Sequence, residues 1–334
     1  MNRRLLFSVA GWCVLIAFCA VLPILFPGDY TLHILITMGI NILVASNVRT
    51  INLTGQMTLA QGGLMTIGAY TSTLLMVNLG FNSWLSLLIA GLLTAAVACG
   101  VGFPFSRLKG IYFSMITLLF GQMIIVLTQE WRGLTRGSQG IFNIPKPDPI
   151  GIPGLFSVSV DTSTEFFYLL LGILAVSLLI LFAIERSRVG LTFRSIQQAD
   201  ALAESIGVYT TGYKVLAFTL GGFFFGILGA YFSQYISAVS PDTFGFLFAI
   251  YALIYMVVGG SKKFIGPIIG AVVLTLLPEV ARPLKQFMPF IYAVVLMLII
   301  FFMPEGLVGL PKRLKALNKV FIKTRNAMGK ADNA

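Results

Sequence analysis

Asn47, Asn52, Gln56, Thr58, Gln61, Thr117 and Gln122 stand inside or beside long apolar stretches. With Thr54, most of them crowd a glycine-bearing segment from Thr50 to Gly63. Amides and hydroxyls are uncharged, so they offer hydrogen bonds and no acid–base work. Two readings of such a set stay open. They line a path for a polar solute, or they bond helix to helix at about 0.6 kcal/mol per contact. Groups for covalent chemistry are missing from the sequence. It has no HExxH, no paired carboxylates, no Ser/His arrangement and no GxxxxGK[ST] phosphate loop. The chain is therefore expected to be no enzyme, to bind no ATP in the usual way, and to need no cofactor or metal. Its carboxylates fall at the ends of the apolar stretches or in the connections. A proton-coupled transporter usually buries an ionisable group within a span. A channel needs a filter or a charged ring. Neither is evident. His33 reads as an interfacial side chain near the end of its stretch, and Cys13, Cys19 and Cys99 read as small packing residues.

The elements that must position these groups are helices in a bilayer. Only 10% of the residues are charged, against roughly a quarter in a soluble domain. Spans are expected at Leu5–Phe26, Thr31–Val48, Leu64–Leu79, Trp84–Phe105, Ile111–Gln129, Glu165–Ile184, Val215–Tyr235, Phe244–Gly260, Phe264–Val280 and Phe287–Met303. Each approaches the ~20 residues that cross a ~30 Å hydrocarbon layer. The fold class is all-α: a polytopic helical membrane protein of about ten transmembrane helices. The positive-inside rule sets its orientation. Of 23 Lys and Arg, only Arg132, Arg136, Lys146, Arg282 and Lys285 fall outside, so both termini are expected in the cytoplasm. The same scatter over short loops argues against a nucleic-acid patch. The stretch Leu5–Phe26 exceeds the 7–15 residues of a signal-peptide core, so an uncleaved first helix is expected.

This organisation gives a transmembrane domain over 1–310, with an outer loop at 130–164 and a cytoplasmic loop at 185–214. The prolines and glycines of the outer loop predict irregular structure. A basic cytoplasmic tail, 311–334, suits an anionic lipid surface. The segment 50–63 is re-entrant or a plain loop. Gly222/Gly226 and Gly266/Gly270 have small-xxx-small spacing, read as close packing within one subunit before a subunit interface. Ile67–Leu75 matches Ile269–Leu277 at six of nine positions, each after a glycine pair, which is chance or an ancestral repeat.

Within the cytoplasmic loop, Ser195 to Val208 has a helical pattern. Ile196, Ala199, Ala203 and Ile206 fall near one face, and Gln197, Gln198, Asp200 and Glu204 mostly elsewhere. Gly207 suits a helix stop. A helix lying on lipid is the rival reading. Acidic polar positions fit anionic lipid poorly, so a protein partner is preferred.

Seven sequence words, spread in order over nearly the whole chain, then carry a resemblance. They are Gly55-Gln-Met-Thr-Leu-Ala-Gln-Gly-Gly63 with the helix after it, Lys109-Gly-Ile-Tyr-Phe-Ser-Met-Ile-Thr-Leu118 and Leu134-Thr-Arg-Gly-Ser-Gln-Gly-Ile141. The cytoplasmic loop Glu185-Arg-Ser-Arg-Val-Gly190 with Ala203-Glu-Ser-Ile-Gly207 and Tyr213–Phe218 follows, then Ser240-Pro-Asp-Thr-Phe244, the glycines from Gly259 to Gly270, and Pro304-Glu-Gly-Leu307. The chain resembles LivM-type permeases, the membrane subunits of ATP-binding cassette importers for branched-chain amino acids. It departs from them at Arg136, where glycine is common, at Gln122, near which a carboxylate is common, and at Gln197-Gln198-Ala199, where the coupling helix commonly begins with charge.

The resemblance implies a non-catalytic permease of the bacterial inner (plasma) membrane that translocates branched-chain or related hydrophobic amino acids. Urea, amides or sugars are alternative cargoes in the same superfamily, and a proton-coupled secondary transporter is a more distant one. Implied partners are two ATP-binding cassette ATPases, a second homologous permease (a heterodimer), an extracytoplasmic binding protein and membrane lipid, with no nucleic acid. The ATPases would dock on Ala199, Asp200, Ala203, Glu204, Ile206 and Gly207.

Overall fold

The computed structural model describes residues 20–21, 23, 28–152, 156–158, 160–280, 286–287, 290–291, 293–294, 297–298, 301 and 306–309. Most of the expected spans Leu5–Phe26 and Phe287–Met303, and all of the basic tail, lie outside the described residues.

Helices dominate, in the order α1 (Asp29–Asn52), α2 (Gln61–Leu79), α3 (Ser83–Phe105), α4 (Ile111–Glu130), a single turn α5 (Arg132–Thr135), α6 (Ser163–Arg186), α7 (Arg188–Gln198), α8 (Asp200–Ser205), α9 (Thr210–Ile236), α10 (Phe246–Gly259) and α11 (Ile265–Val280). Among the described residues, six helices are long and apolar enough to cross a membrane: Asp29–Asn52, Ser83–Phe105, Ile111–Glu130, Ser163–Arg186, Thr210–Ile236 and Pro241–Gly259. Their ends follow local chemistry. The Thr162 hydroxyl accepts from the Glu165 N–H while the Glu165 carboxylate accepts from the Thr162 N–H, a capping box that opens α6. Asn82 caps α3 through the Trp84 N–H.

The chain forms two compact units, divided after Leu253. In the first, α9 packs against α1, α2 and α3. Gln234 Nε2 donates to Ser72 Oγ, and Gly229 lies against Met65, so α2 and α9 run parallel. Gly222 meets Ala98 and Gly226 meets Ala90 and Thr94, so α3 runs antiparallel to α9. Gly68 touches the Gly226 backbone directly, an approach that any Cβ would block. These glycines close contacts within one subunit, as their spacing predicts.

At one end of this unit the loop at 130–164 is more ordered than its prolines and glycines predict. Strand β1 (Ile141–Phe142) pairs antiparallel with β4 (Ala238–Val239), and β2 (Ile150–Ile152) pairs with β3 (Phe156–Val158). Asp148 accepts from the Ser83 N–H, so the loop is fastened to the start of α3, and Gln129 at the end of α4 donates to Asp242. His33 bonds and stacks with Tyr235, so the ring has a partner. The second unit brings the backbones of Gly259, Gly266 and Gly270 together, with Gly306 against Gly260.

Candidate functional site

Helix α1 stays helical four residues past the expected end of its span. The extension carries Arg49 and Asn52 into the buried setting that Asn47 already occupies. Asn47 Nδ2 donates to the Leu43 carbonyl within the helix, a bond of the structural kind. The chain then loses helical form from Leu53 to Ala60. Thr54 Oγ1 donates to the Ile51 carbonyl, and Gly55 takes a left-handed φ of +78°, which turns the chain away from α1.

Beyond the turn the segment leans on α4. Ser114 Oγ donates to the Met57 carbonyl (2.7 Å), and the Leu59 N–H donates to Thr117 Oγ1 (3.1 Å). Gly63 touches the backbone of Gly121, about halfway along α4. Helix α2 thus begins ~15 Å along its neighbour rather than at its end. Irregular backbone at such a depth needs protein or a water-lined cavity around it.

Several buried polar atoms of this region bond to nothing among the described residues. Gln56 is 3% exposed, and neither its amide oxygen nor its amide nitrogen has a partner. Gln61 Nε2 donates to the Ala249 carbonyl, but its Oε1 is unpaired. Tyr70 OH and Thr73 Oγ1, three positions apart on α2, are unpaired too. An unmade buried hydrogen bond costs about 1–3 kcal/mol. Of the seven expected pathway residues, Asn52, Gln56, Thr58, Gln61 and Thr117 come together at this break. Gln122 does not. It is half-buried on another side of α4, among the exposed Leu119, Met123 and Val126.

The loop at 185–214 differs from its expected form. The single helix from Ser195 to Val208 is broken at Ala199, whose φ of −156° and ψ of 87° are not helical. Helix α7 buries Gly190, Phe193 and Ile196, and α8 starts afresh with Ala203 inward. One stripe therefore does not join Ile196 to Ile206. Ile206 points out, 75% exposed. Ala199, Glu204 and Gly207 are exposed, whereas Ala203 is buried. Asp200 is engaged: Lys214 donates to its carboxylate (2.8 Å) and Lys109 pairs with it (3.3 Å). Burial works against the Asp200 charge, but the two ammonium groups outweigh it and hold the carboxyl below its ordinary range. Exposed Leu202 and Tyr209 extend the patch around Ile206. Helical spacing across an unbroken helix hid them.

A second cluster was also missed. Arg49, 1% exposed, grips the Glu185 carboxylate through both terminal nitrogens (2.6 and 2.9 Å), and Arg194 of α7 bonds the same carboxylate. Glu185 lies 136 residues from Arg49. The available signal was one Arg and one Glu, each at the end of an apolar stretch on the same expected side. A charged pair so enclosed holds only when both partners are present.

Comparison with known proteins shows the family. Residues 30–304 match the family described as branched-chain amino acid transport system / permease component. The chain is 30% identical to the high-affinity branched-chain amino acid transport system permease protein LivM of Salmonella typhimurium, over 84% of this chain and 68% of that one. It is 29% identical to LivM of Escherichia coli K12, over 91% and 72%. It is 26% identical to the permease LivH of Salmonella typhimurium, over 77% and 87%. No solved structure matches significantly. A bundle of apolar helices around a polar break, matched along most of its length, belongs to the branched-chain amino acid transport permease family.

Proposed function

We propose that this chain is the membrane path of an ATP-binding cassette importer for branched-chain or related hydrophobic amino acids. The observation that carries this reading is the break between α1 and α2. Enclosed amides and hydroxyls with unmade hydrogen bonds suit the ammonium and carboxylate of an amino acid, while the surrounding apolar side chains suit its aliphatic part. Energy comes from outside the chain, since no phosphate loop is present. Two ATPase subunits supply it by docking at the α7–α8 loop, which faces the cytoplasm. A second permease completes the path, and a binding protein delivers cargo to the opposite face.

Within the loop, the docking surface is Ala199, Glu204, Ile206 and Gly207 together with Leu202 and Tyr209. Asp200 and Ala203 hold α8 in place from beneath. An exposed apolar patch on a loop helix marks a protein contact. The test is the assembled complex in proteoliposomes. Uptake of leucine should require both ATP and the binding protein. Combining Leu202→Glu with Ile206→Glu should remove the ATPases from the purified complex and lower uptake at least ~tenfold, because centrally buried contacts dominate such interfaces. Uptake driven by a proton gradient alone would overturn the reading.

A further inference from the structure

Helix α7 ends where α1 ends. Gln197 Nε2 donates to the Asn52 carbonyl (2.8 Å), and the Gln197 Cα is the nearest outside atom to a Cβ placed on Gly55 (3.5 Å). The Asn52 carbonyl does not need this bond to be satisfied, because the Gly55 N–H already donates to it (2.9 Å). The one carbonyl thus joins the end of α7 to the turn at Gly55. One turn earlier on each helix stands a second connection. Arg194, three residues before Gln197, bonds Glu185, and Glu185 also holds Arg49, three residues before Asn52. Two fastenings one turn apart make α7 and the end of α1 move together. The chain leaves this joint through Gly55, at φ +78°, straight into Gln56 and the polar break.

We infer that Gln197 is a positioning residue that passes movement of the α7–α8 loop into the segment Leu53–Ala60. The inference rests on the docking reading above and assigns its route. Displacement of α8 pivots at Ala199, shifts α7, and reaches Gly55 through the Gln197–Asn52 bond. The fastening by Arg49, Glu185 and Arg194 keeps α1 from lagging behind. Gln197 touches no cargo on this route; it acts through the backbone of Asn52.

The experiment uses the complete complex in proteoliposomes, with the binding protein and leucine as probe. ATP hydrolysis and leucine uptake are measured on the same preparation. Gln197→Glu keeps the shape of the side chain but has no N–H to give. Gln197→Lys keeps a donor. With Gln197→Glu, leucine moved per ATP should fall about fivefold while hydrolysis changes less than about twofold, the scale expected for one net hydrogen bond. Gln197→Lys should restore most of the ratio. An unchanged ratio in Gln197→Glu overturns the inference. So does a parallel fall of hydrolysis and uptake, which would make Gln197 part of the docking contact or of general stability. Failure of Gln197→Lys to rescue also overturns it. The importer reading fails at a different point, in the unaltered complex: if that moves no leucine with ATP and binding protein, both readings fall.

Discussion

The break between α1 and α2 and the α7–α8 loop invert each other's burial. In the first, Gln56, Gln61, Thr58 and Thr117 are enclosed. In the second, Leu202, Ile206 and Tyr209 stand in the open. Helix α2, too polar to count among the six membrane-crossing helices, is nevertheless packed on by α3, α4 and α9. Lipid explains half of this. A bilayer accepts Leu and Val on the outside of a bundle, so polar groups are driven inward. On the proposed topology the α7–α8 loop lies beyond the spans, where no lipid core covers Ile206. On the docking reading proposed above, its exposed apolar groups await protein. Polar inside and apolar outside are the same rule applied on two sides of one boundary.

The strongest test of that boundary is the joint between the two regions. Arg49→Met leaves Glu185 buried with only Arg194 beside it. Breaking an enclosed ion pair from one side costs about 3–5 kcal/mol. The purified chain in detergent should lose thermal stability sharply. Adding Glu185→Leu should recover much of the loss, since an apolar pair at such a site is often neutral or stabilising. If Arg49→Met alone were harmless, the two regions would not be one mechanical body.

Gln56→Leu separates function from stability on the polar side. Its amide makes no hydrogen bond among the described residues, so removing it costs no bond and relieves a desolvated group. Thermal stability should hold or rise by up to about 1 kcal/mol, while leucine uptake falls about tenfold, the cost of removing a polar group from a site built around it. Unchanged uptake would mark Gln56 as packing, and the polar interior would lose its best witness.

Much of this was legible in the sequence, for identifiable reasons. Apolar runs fixed helices such as Ile111–Glu130 and Ser83–Phe105 to within a residue at each end, because turn residues (Gly110, Asn82) bound them. The break at Thr50–Gly63 announced itself by glycine and amides. Arg49 did not, because positive-inside counting treats any Arg near a span end as exposed, and its partner is far along the chain. The kink at Ala199 was equally hidden. Asp200 is drawn to Lys214 and Lys109, and those long-range pairs fix where α8 starts. Periodicity reads a helix one residue at a time; it does not register what another helix pulls on.

The smallest effect concerns that pull. Asp200 has its carboxyl held below the ordinary value of 3.8. A depressed carboxyl stabilises the folded chain above its unfolded pKa and loses that contribution as pH falls through the folded one. Above about pH 5, Asp200→Asn should lower the melting temperature by about 1–2 °C, since partly exposed pairs contribute less than about 1 kcal/mol. Below about pH 4, where an unfolded Asp begins to protonate, the gap between the parent and Asp200→Asn should narrow. Melting curves of both proteins across this range in detergent decide it. A gap that stays constant into acid would mean Asp200 acts by shape and not by charge, and α8 would then be seated by packing of Asp200 and Ala203 without the ion pairs. Restoring position without charge, the outcome for Asp200→Asn if its amide still accepts from Lys214, would leave the exposed patch at Ile206 intact and docking unaffected. The apolar side of the comparison would then stand independently of the ion pairs beneath it.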